Sequence, residues 1–235
     1  MFKQASFLTF FLSISISLCS AKLPPLEHTQ EWLSRVENLA PEKADFKPQQ
    51  PRKVLVFSLM TGFKHWVTPF MKDIVKTLGD KSGAFETTFS DNIAMFEKDK
   101  LQMFDTVILN NTCSKSPKRH LFFDALGDMK KAKELENNLI SYIENGGGLV
   151  GLHGAIAVLS GSDEFGKVIG GSFHFHPKQQ DVTCKLVTPS HKLLKSFKGS
   201  PLIHHDEPYM FKGSYDQFNF QPLLELDADK LDWGH

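Results

Sequence analysis

Hydrophobic residues between positions 53 and 152 form two kinds of pattern, which alternate along the chain. Short, mostly apolar runs at 53–58, 85–89, 106–109 and 149–152 predict β-strands. Amphipathic stretches predict a helix at 67–78 and a second one that ends at Asn145. The β-α-β-β-α-β order predicts an α/β fold with a doubly wound, mostly parallel sheet. Ligands of such sheets bind beyond the carboxyl ends of the strands.

The strand predicted at 149–152 lies between three glycines and a histidine. The glycines at 146–148 end the preceding helix, because glycine tolerates the left-handed backbone of helix ends. The strand then delivers His153 between small residues. In many α/β hydrolases and amidotransferases such a strand-to-helix turn holds the nucleophile. Histidine serves as a general base or a metal ligand, so we predict a chemistry other than standard acyl transfer.

The rest of the chain is less regular. Thr29 is placed to cap a short helix that ends at Asn38. Residues 110–129 are polar and predict an irregular insertion. Residues 173–177 alternate in polarity, so His174 and His176 are predicted to share one face of a strand-like segment.

Further along, four more segments are predicted. They are a short helix at 164–169, strands at 182–187 and 202–205, and a strand-like run at 209–211.

Composition narrows the class of partner. The chain has 235 residues, 27 basic and 27 acidic side chains, and 41% hydrophobic residues. These values suit one α/β domain with a sizeable core. The balanced charge gives no electrostatic reason to expect nucleic acid or an anionic membrane as a partner. The oligomeric state is left open.

The first 21 residues have the pattern of a secretory signal. Lys3 precedes a Ser-rich apolar run at 7–18, and small residues end the segment at Ala21. The run is too short for a membrane span, so we predict export to the periplasm or the exterior with cleavage after Ala21. Lipidation at Cys19 ranks second, because Leu18 fits that signal poorly. Residues 22–52 form a lead-in rich in proline and charge.

Two cysteines, Cys113 and Cys184, remain after such cleavage. They could pair in an oxidising compartment, although two cysteines do not make a disulfide scaffold.

Several polar side chains are candidates for chemistry, and each has a simpler alternative. His65 follows the first predicted strand and could accept a proton, or could be a loop histidine bonded to backbone. His174 and His176 could bind a divalent metal such as zinc, although core or surface histidines are commoner and no third ligand is evident. Asp206 and Glu207 could supply acid/base groups, or could lie in a solvated turn.

Two aromatic side chains and one basic segment complete the candidates. Trp66 and Tyr209 could stack on a sugar ring. The basic segment at 115–119 reads as a solvated loop.

Ordered motifs across residues 53–235 resemble the ThuA-like, or trehalose-utilisation, family. Six motifs carry the resemblance: Val54–Phe57 with Gly62–His65, Tyr142–Ile143 through Gly146–His153, Gly170–Phe173, His176–Pro177, Ser190–His191, and Asp206–Tyr209. The resemblance implies a flavodoxin-like fold similar to class I glutamine amidotransferases. The family's histidine matches His153, and its Asp-Glu-x-Tyr segment matches Asp206, Glu207 and Tyr209. Relatives continue past a segment like 232–235, so we expect a fragment or an unfinished sheet edge.

The resemblance implies carbohydrate metabolism, with trehalose or oxidised sugar derivatives as substrates. We predict an enzyme of hydrolase or isomerase type that acts on a sugar or keto-sugar. His153, His65, Asp206 and Glu207 would be catalytic, and Trp66, Tyr209 and His191 would bind substrate. The absence of Cys at the turn argues against glutamine amidotransferase activity. The alternatives are a non-catalytic carbohydrate-binding module that uses the same cleft and an inert fragment of a larger protein.

Overall fold

Helices and strands alternate through the amino-terminal part of the chain, as the sequence predicts. The computed structural model describes residues 27–46 and 48–234, so the predicted signal segment at 1–21 lies outside the described residues. The helices are α1 (Gln30–Leu39), α2 (Thr68–Ser82), α3 (Lys98–Leu101), α4 (Leu121–Leu126), α5 (Met129–Glu144) and α6 (Asp163–Ile169). The strands are β1 (Arg52–Phe57), β2 (Phe85–Ser90), β3 (Thr106–Asn110), β4 (Gly148–Leu152), β5 (Ser172–Phe175), β6 (Gln180–Leu186), β7 (Leu202–Asp206), β8 (Met210–Lys212) and β9 (Leu224–Leu226).

Four parallel strands form the central sheet in the order β2-β1-β3-β4. Successive residues of a strand point to opposite faces, and both faces are covered by helices. Leu55 and Phe57 of β1 pack on one face with Leu135 of α5. Val56 packs on the other face with Val75 of α2. Helices on both faces of a parallel sheet confirm the predicted doubly wound α/β fold.

The amino-terminal helix confirms the short helix predicted behind Thr29. The Thr29 side chain accepts a hydrogen bond from the Trp32 amide, which satisfies one of the free donors at the helix start. Trp32 packs edge-on against Phe70 of α2, with ring centroids 5.2 Å apart. Within the described residues, no helix is both long enough and apolar enough to cross a membrane.

Residues 110–129 differ from the irregular insertion that the sequence predicts. The segment contains α4, and its first residues are buried. Asn110 is fully buried, and its amide donates to Ser58 Oγ at 3.2 Å and to the Thr68 carbonyl at 3.1 Å. Because these partners lie elsewhere in the chain, the polar sequence resembled a surface loop although the Asn110 amide is satisfied inside the fold.

The carboxyl-terminal third forms two small antiparallel sheets. One pairs β5 with β8, and the other has the order β7-β6-β9. The register of the β5–β8 pair shifts between Phe173 and Phe175, and His176 lies beyond the end of β5. Such an irregularity breaks the simple alternation of a strand. The prediction that His174 and His176 share one strand face is therefore wrong.

Cys113 and Cys184 are free thiols, so the disulfide considered from the sequence is not formed. Cys113 is buried after β3, where its Sγ lies 3.5 Å from the Phe63 carbonyl oxygen. Cys184 is on β6.

A buried carboxylate joins three helices. Glu136 of α5 is fully buried; it accepts a bond from His120 Nε2 at 2.9 Å and from Lys133 Nζ at 3.0 Å, and Ser162 Oγ donates to it as well. His120 caps α4 by accepting the Phe123 amide, and Ser162 caps α6. Burial alone would raise the pKa of Glu136, but these three donors outweigh it and lower the pKa to about 2.

We expect Glu136→Gln to lower the free energy of unfolding by about 3 kcal/mol at pH 7, because it removes one partner of a buried charged network. Glu134→Gln is the matched control on the same helix. Its exposed pair with Lys131 should contribute little to stability, because water and salt screen exposed charges. Urea unfolding followed by circular dichroism measures both values. Equal decreases in the free energy of unfolding would contradict the stabilising role of the buried Glu136 network.

The same variant tests the pH dependence. The folded-state pKa of Glu136 lies below the ordinary value of 4.5, so its stabilisation is complete above pH 4.5 and disappears as the pH falls towards about 2. The stability difference between wild type and Glu136→Gln should shrink over that interval.

Candidate active site

The carboxyl ends of the parallel strands bring two histidines together. His65 lies in the loop between β1 and α2, and His153 directly follows β4. Their rings contact each other, with centroids 4.7 Å apart. The prediction that both histidines lie at the same end of the sheet is confirmed. We call His65 and His153 the histidine pair.

His153 occupies a strained turn. It begins a short 3-10 helix, His153–Ala157, and its φ of 50° lies in the left-handed region. For a residue other than glycine this conformation costs about 1–3 kcal/mol and is found mostly at functional sites. Gly154 and Ala155 behind it are buried, as a tight strand-to-helix turn requires. The structure therefore has the sharp turn that the sequence predicts at His153.

His65 packs directly on the backbone of that turn. A Cβ on Gly154 would lie 2.4 Å from His65 Cε1, so only glycine leaves room for the ring. Burial lowers the pKa of His65, and the nearby His153 lowers it further. Glu207 and the backbone of Asn111 act in the opposite direction without cancelling the effect. His65 is therefore neutral at pH 7.

Three buried polar atoms in and beside this region have no hydrogen-bond partner among the described residues. They are His65 Nδ1, Asn111 Oδ1 and Thr112 Oγ1. Asn111 also has a left-handed backbone, with a φ of 57°. Unpaired buried polar atoms are rare in folded proteins and require an explanation. Together with the strained backbone, they mark the end of β3 as part of the site.

Tyr209 connects the histidine pair to two carboxylates. Burial raises the pKa of Tyr209, and the charges of Glu207 and Asp206 raise it further, so its hydroxyl keeps its proton. The hydroxyl lies 3.2 Å from His153 Nδ1 and donates to it in the neutral tautomer that carries the ring proton on Nε2. In that tautomer Nε2 faces Asp206 Oδ1 at 3.8 Å.

Glu207 and His176 face each other on another side of Tyr209. Glu207 Oε2 is 3.9 Å from His176 Nε2, which is too long for a direct hydrogen bond but close enough for electrostatic attraction. The His176 ring stacks on Tyr209 with centroids 5.5 Å apart and planes at 29°. The site thus combines imidazole, carboxylate and phenol groups that can move protons.

These side chains surround a cavity of about 240 Å³. Pockets for drug-sized ligands occupy about 300–1,000 Å³, so this cavity suits one small molecule. His65, His176, Glu207 and Tyr209 are among its walls. His153 contacts this set from the side and lines a neighbouring cavity of about 440 Å³ along β4, whose other walls are mainly aliphatic side chains.

A larger cavity of about 650 Å³ lies at the opposite end of the sheet. Arg52, Asp105 and Tyr142 are among its walls. Because ligands of doubly wound sheets bind at the carboxyl ends of the strands, the smaller cavity beside the histidine pair is the candidate site.

Six residues of the cavity wall were not among the predicted site residues. They are Phe63, Cys113, Arg119, Gly154, Ala157 and Phe173. Phe63 and Phe173 stand in the same motifs as predicted histidines, which is a signal that could have identified them. Arg119 belongs to the basic segment that was predicted to be a solvated loop, and that prediction is wrong for Arg119 because its side chain lines the cavity.

Five predicted site residues do not line the cavity: His153 and Asp206, which contact each other beside it, and three residues that lie elsewhere. Trp66 is 51% exposed and packs edge-on against Phe70 of α2 instead. His191 accepts a backbone bond from Leu193 and so caps a short 3-10 turn. His174 is exposed, and its ring contacts Phe175.

The arrangement does not supply a set of metal ligands. Across residues 27–46 and 48–234, no group of three or more His, Cys, Asp or Glu side chains could hold a metal ion. Nδ1 of His176 is bonded to the Pro177 carbonyl at 2.7 Å. The structure thus adds no third ligand to the pair His174 and His176.

Comparison with known proteins agrees with this architecture. The family model of ThuA, described as trehalose utilisation, matches residues 53–234. The chain belongs to the ThuA family. A crystal structure of a ThuA-like protein from Bacteroides uniformis has the same fold, with a TM-score of 0.60 and 20% identity over 79% of this chain and 72% of that one. No curated protein matches the chain.

Gly154→Ala tests whether the close approach to the Gly154 backbone positions His65 in this member of the ThuA family. The added methyl group must displace the imidazole, which then loses burial and its contact with His153. We expect the pKa of His65 to rise towards its ordinary value in an NMR titration. Gly151→Ala is the control, because its Cβ would have only Ala155 Cβ near it, at 3.7 Å. An unchanged pKa of His65 in Gly154→Ala would contradict the contact between the His65 ring and the Gly154 backbone.

Proposed function

We propose that this chain is an exported enzyme of carbohydrate metabolism that transfers a proton on a sugar or keto-sugar bound in the small cavity. Membership of a family described as trehalose utilisation supports the carbohydrate class. The contact between His65 and His153, with centroids 4.7 Å apart, is the observation that carries the catalytic part of the proposal.

A buried neutral imidazole is a suitable general base near neutral pH. His65 lines the cavity, and its lowered pKa keeps it unprotonated before the ligand binds. His153 contacts it from the strained turn and is held between the Tyr209 hydroxyl and the Asp206 carboxylate. In this proposal His65 takes the proton, Glu207 favours the imidazolium that forms, and the contact with His153 keeps His65 neutral until the proton is transferred.

A proton donor is also needed for turnover, and Tyr209 is the candidate. Tyr209 lines the cavity and retains its proton. A base and an acid on different walls suit two reactions. One is proton abstraction next to a keto group, as in an isomerase, and the other is protonation of a glycosidic oxygen, as in a hydrolase.

The residues do not suit glutamine amidotransfer. That reaction uses a thiolate at the strand-to-helix turn, where this chain has His153. Cys113 is the thiol of the cavity wall, but burial raises its pKa, which keeps the sulfur protonated and poorly nucleophilic.

A carbohydrate-binding module that uses the same cavity is the second candidate. Aromatic walls favour it, because Phe63, Phe173 and Tyr209 offer faces on which a sugar ring can stack. A pocket that only binds has no need for a titratable residue in a strained backbone, however. The φ of His153 therefore favours the enzyme.

Proton exchange with solvent distinguishes the two candidates. In D₂O, the wild type should incorporate deuterium next to the carbonyl of a keto derivative of trehalose, as observed by NMR. If the enzyme is of the hydrolase type, the same spectra show release of a monosaccharide. His65→Ala, His153→Ala and His153→Gln should each slow the reaction by about 10²- to 10⁴-fold, because glutamine keeps hydrogen bonding but lacks basicity.

His205→Ala is the control for loss of a histidine. His205 is exposed and bonded to Asp181, at a distance of 2.8 Å. It should react at the wild-type rate, and thermal unfolding should show that all four variants are folded. If the intact protein binds the sugar without any turnover, and His153→Ala only weakens binding, the binding module replaces the enzyme.

Export is tested by the mature amino terminus. The charged start, the apolar run at 7–18 and the small residues up to Ala21 support cleavage there. Mass spectrometry of protein isolated from its native host should find a chain that begins at or near Lys22. An intact Met1 on soluble cytosolic protein would contradict export.

A further inference from the structure

Arg119 brings a positive charge to the wall of the small cavity. Its Nη1 donates to the Ser114 carbonyl at 3.0 Å, and the guanidinium carbon lies 5.5 Å from the centre of the Phe173 ring. Across the described ranges, no Asp or Glu forms an ion pair with it; Glu207, which lines the same cavity, faces His176 instead. The guanidinium therefore has hydrogen-bond donors left for a ligand.

The backbone of the loop is held in an unusual shape at this residue. Arg119 has a left-handed φ of 51°; its amide donates to the Lys115 carbonyl at 2.8 Å, and its own carbonyl accepts from the Gly161 amide at 3.1 Å. Gly161 is required for this approach, because a Cβ there would lie 2.1 Å from the Lys118 carbonyl oxygen. Strain of this kind persists where the surrounding structure fixes it, and it clusters at ligand-binding positions.

We propose that Arg119 recognises a carboxylate of the ligand, so that the site takes a sugar acid. A planar guanidinium matches the two oxygens of a carboxylate, and the Phe173 ring helps to orient it. His65 and Glu207 line the same cavity. With its carboxylate on Arg119, the sugar therefore has its hydroxyl-bearing carbons next to the groups proposed to take part in proton transfer. The inference rests on the proposed function for the location of the site and for the sugar class.

The charges of the site favour a carboxylate over a phosphate. One guanidinium balances one negative charge, and Glu207 already lines the cavity. A phosphate group carries about −1.5 to −2 charges at pH 7 and would meet stronger repulsion from that carboxylate.

The test compares two ligands that differ in charge and hardly in shape. D-glucuronate carries a carboxylate, and D-glucuronamide is its neutral counterpart. Calorimetry on the full chain should show that glucuronate binds about 10- to 100-fold more tightly than the amide. Arg119→Gln should bring the two affinities together by weakening glucuronate alone. Lys118→Gln removes a neighbouring charge that lies over the Phe123 ring, and it should keep the preference.

Each other outcome overturns the inference. Equal wild-type affinities, binding of neither compound, or equal weakening of both by Arg119→Gln would show that Arg119 does not select a carboxylate. Tighter binding of D-glucose 6-phosphate than of glucuronate would assign the residue to phosphate. The result is independent of turnover, because loss of the proposed enzyme activity would leave the charge preference of the cavity unchanged.

Discussion

The contact between the His65 ring and the Gly154 backbone is the constraint on which the site depends. It requires the end of β1 and the end of β4 to lie together, which the parallel sheet provides through β3 between them. It also requires the tight turn after His153, because any side chain at position 154 would occupy the space of the imidazole. The turn that gives His153 its strained φ is thus the same turn that positions the His65 ring.

The close packing of the side chains around the cavity determines their protonation states. Removal from water and the nearby His153 disfavour the protonated form of His65. Burial and the carboxylates of Asp206 and Glu207 disfavour the ionised form of Tyr209. A neutral base and a protonated acid therefore stand close together at neutral pH, which is the condition that concerted proton transfer needs.

The buried Glu136 network links the stability of the fold to the geometry of the cavity. His120 and Ser162 both bond to Glu136, and each directly follows a residue of the loop contact between Arg119 and Gly161. The carboxylate therefore fixes the starts of α4 and α6 and, with them, the loop that points Arg119 at the cavity. A change inside the helical layer can act on ligand recognition through these short connections.

The sequence by itself determined the parallel sheet, the α1 cap at Thr29 and the turn at His153, because these depend on local periodicity and on small residues next to each other. It also indicated that His65 and His153 lie at one end of the sheet. Only the tertiary structure decided that Trp66 packs on α2 and that Arg119 lines the cavity. It also decided that the polar residues after β3 are buried and that an irregular register separates His174 from His176. The positions of Arg119 and of the residues after β3 depend on partners far away in the chain, such as Gly161 and Ser58, and local sequence carries no record of such contacts.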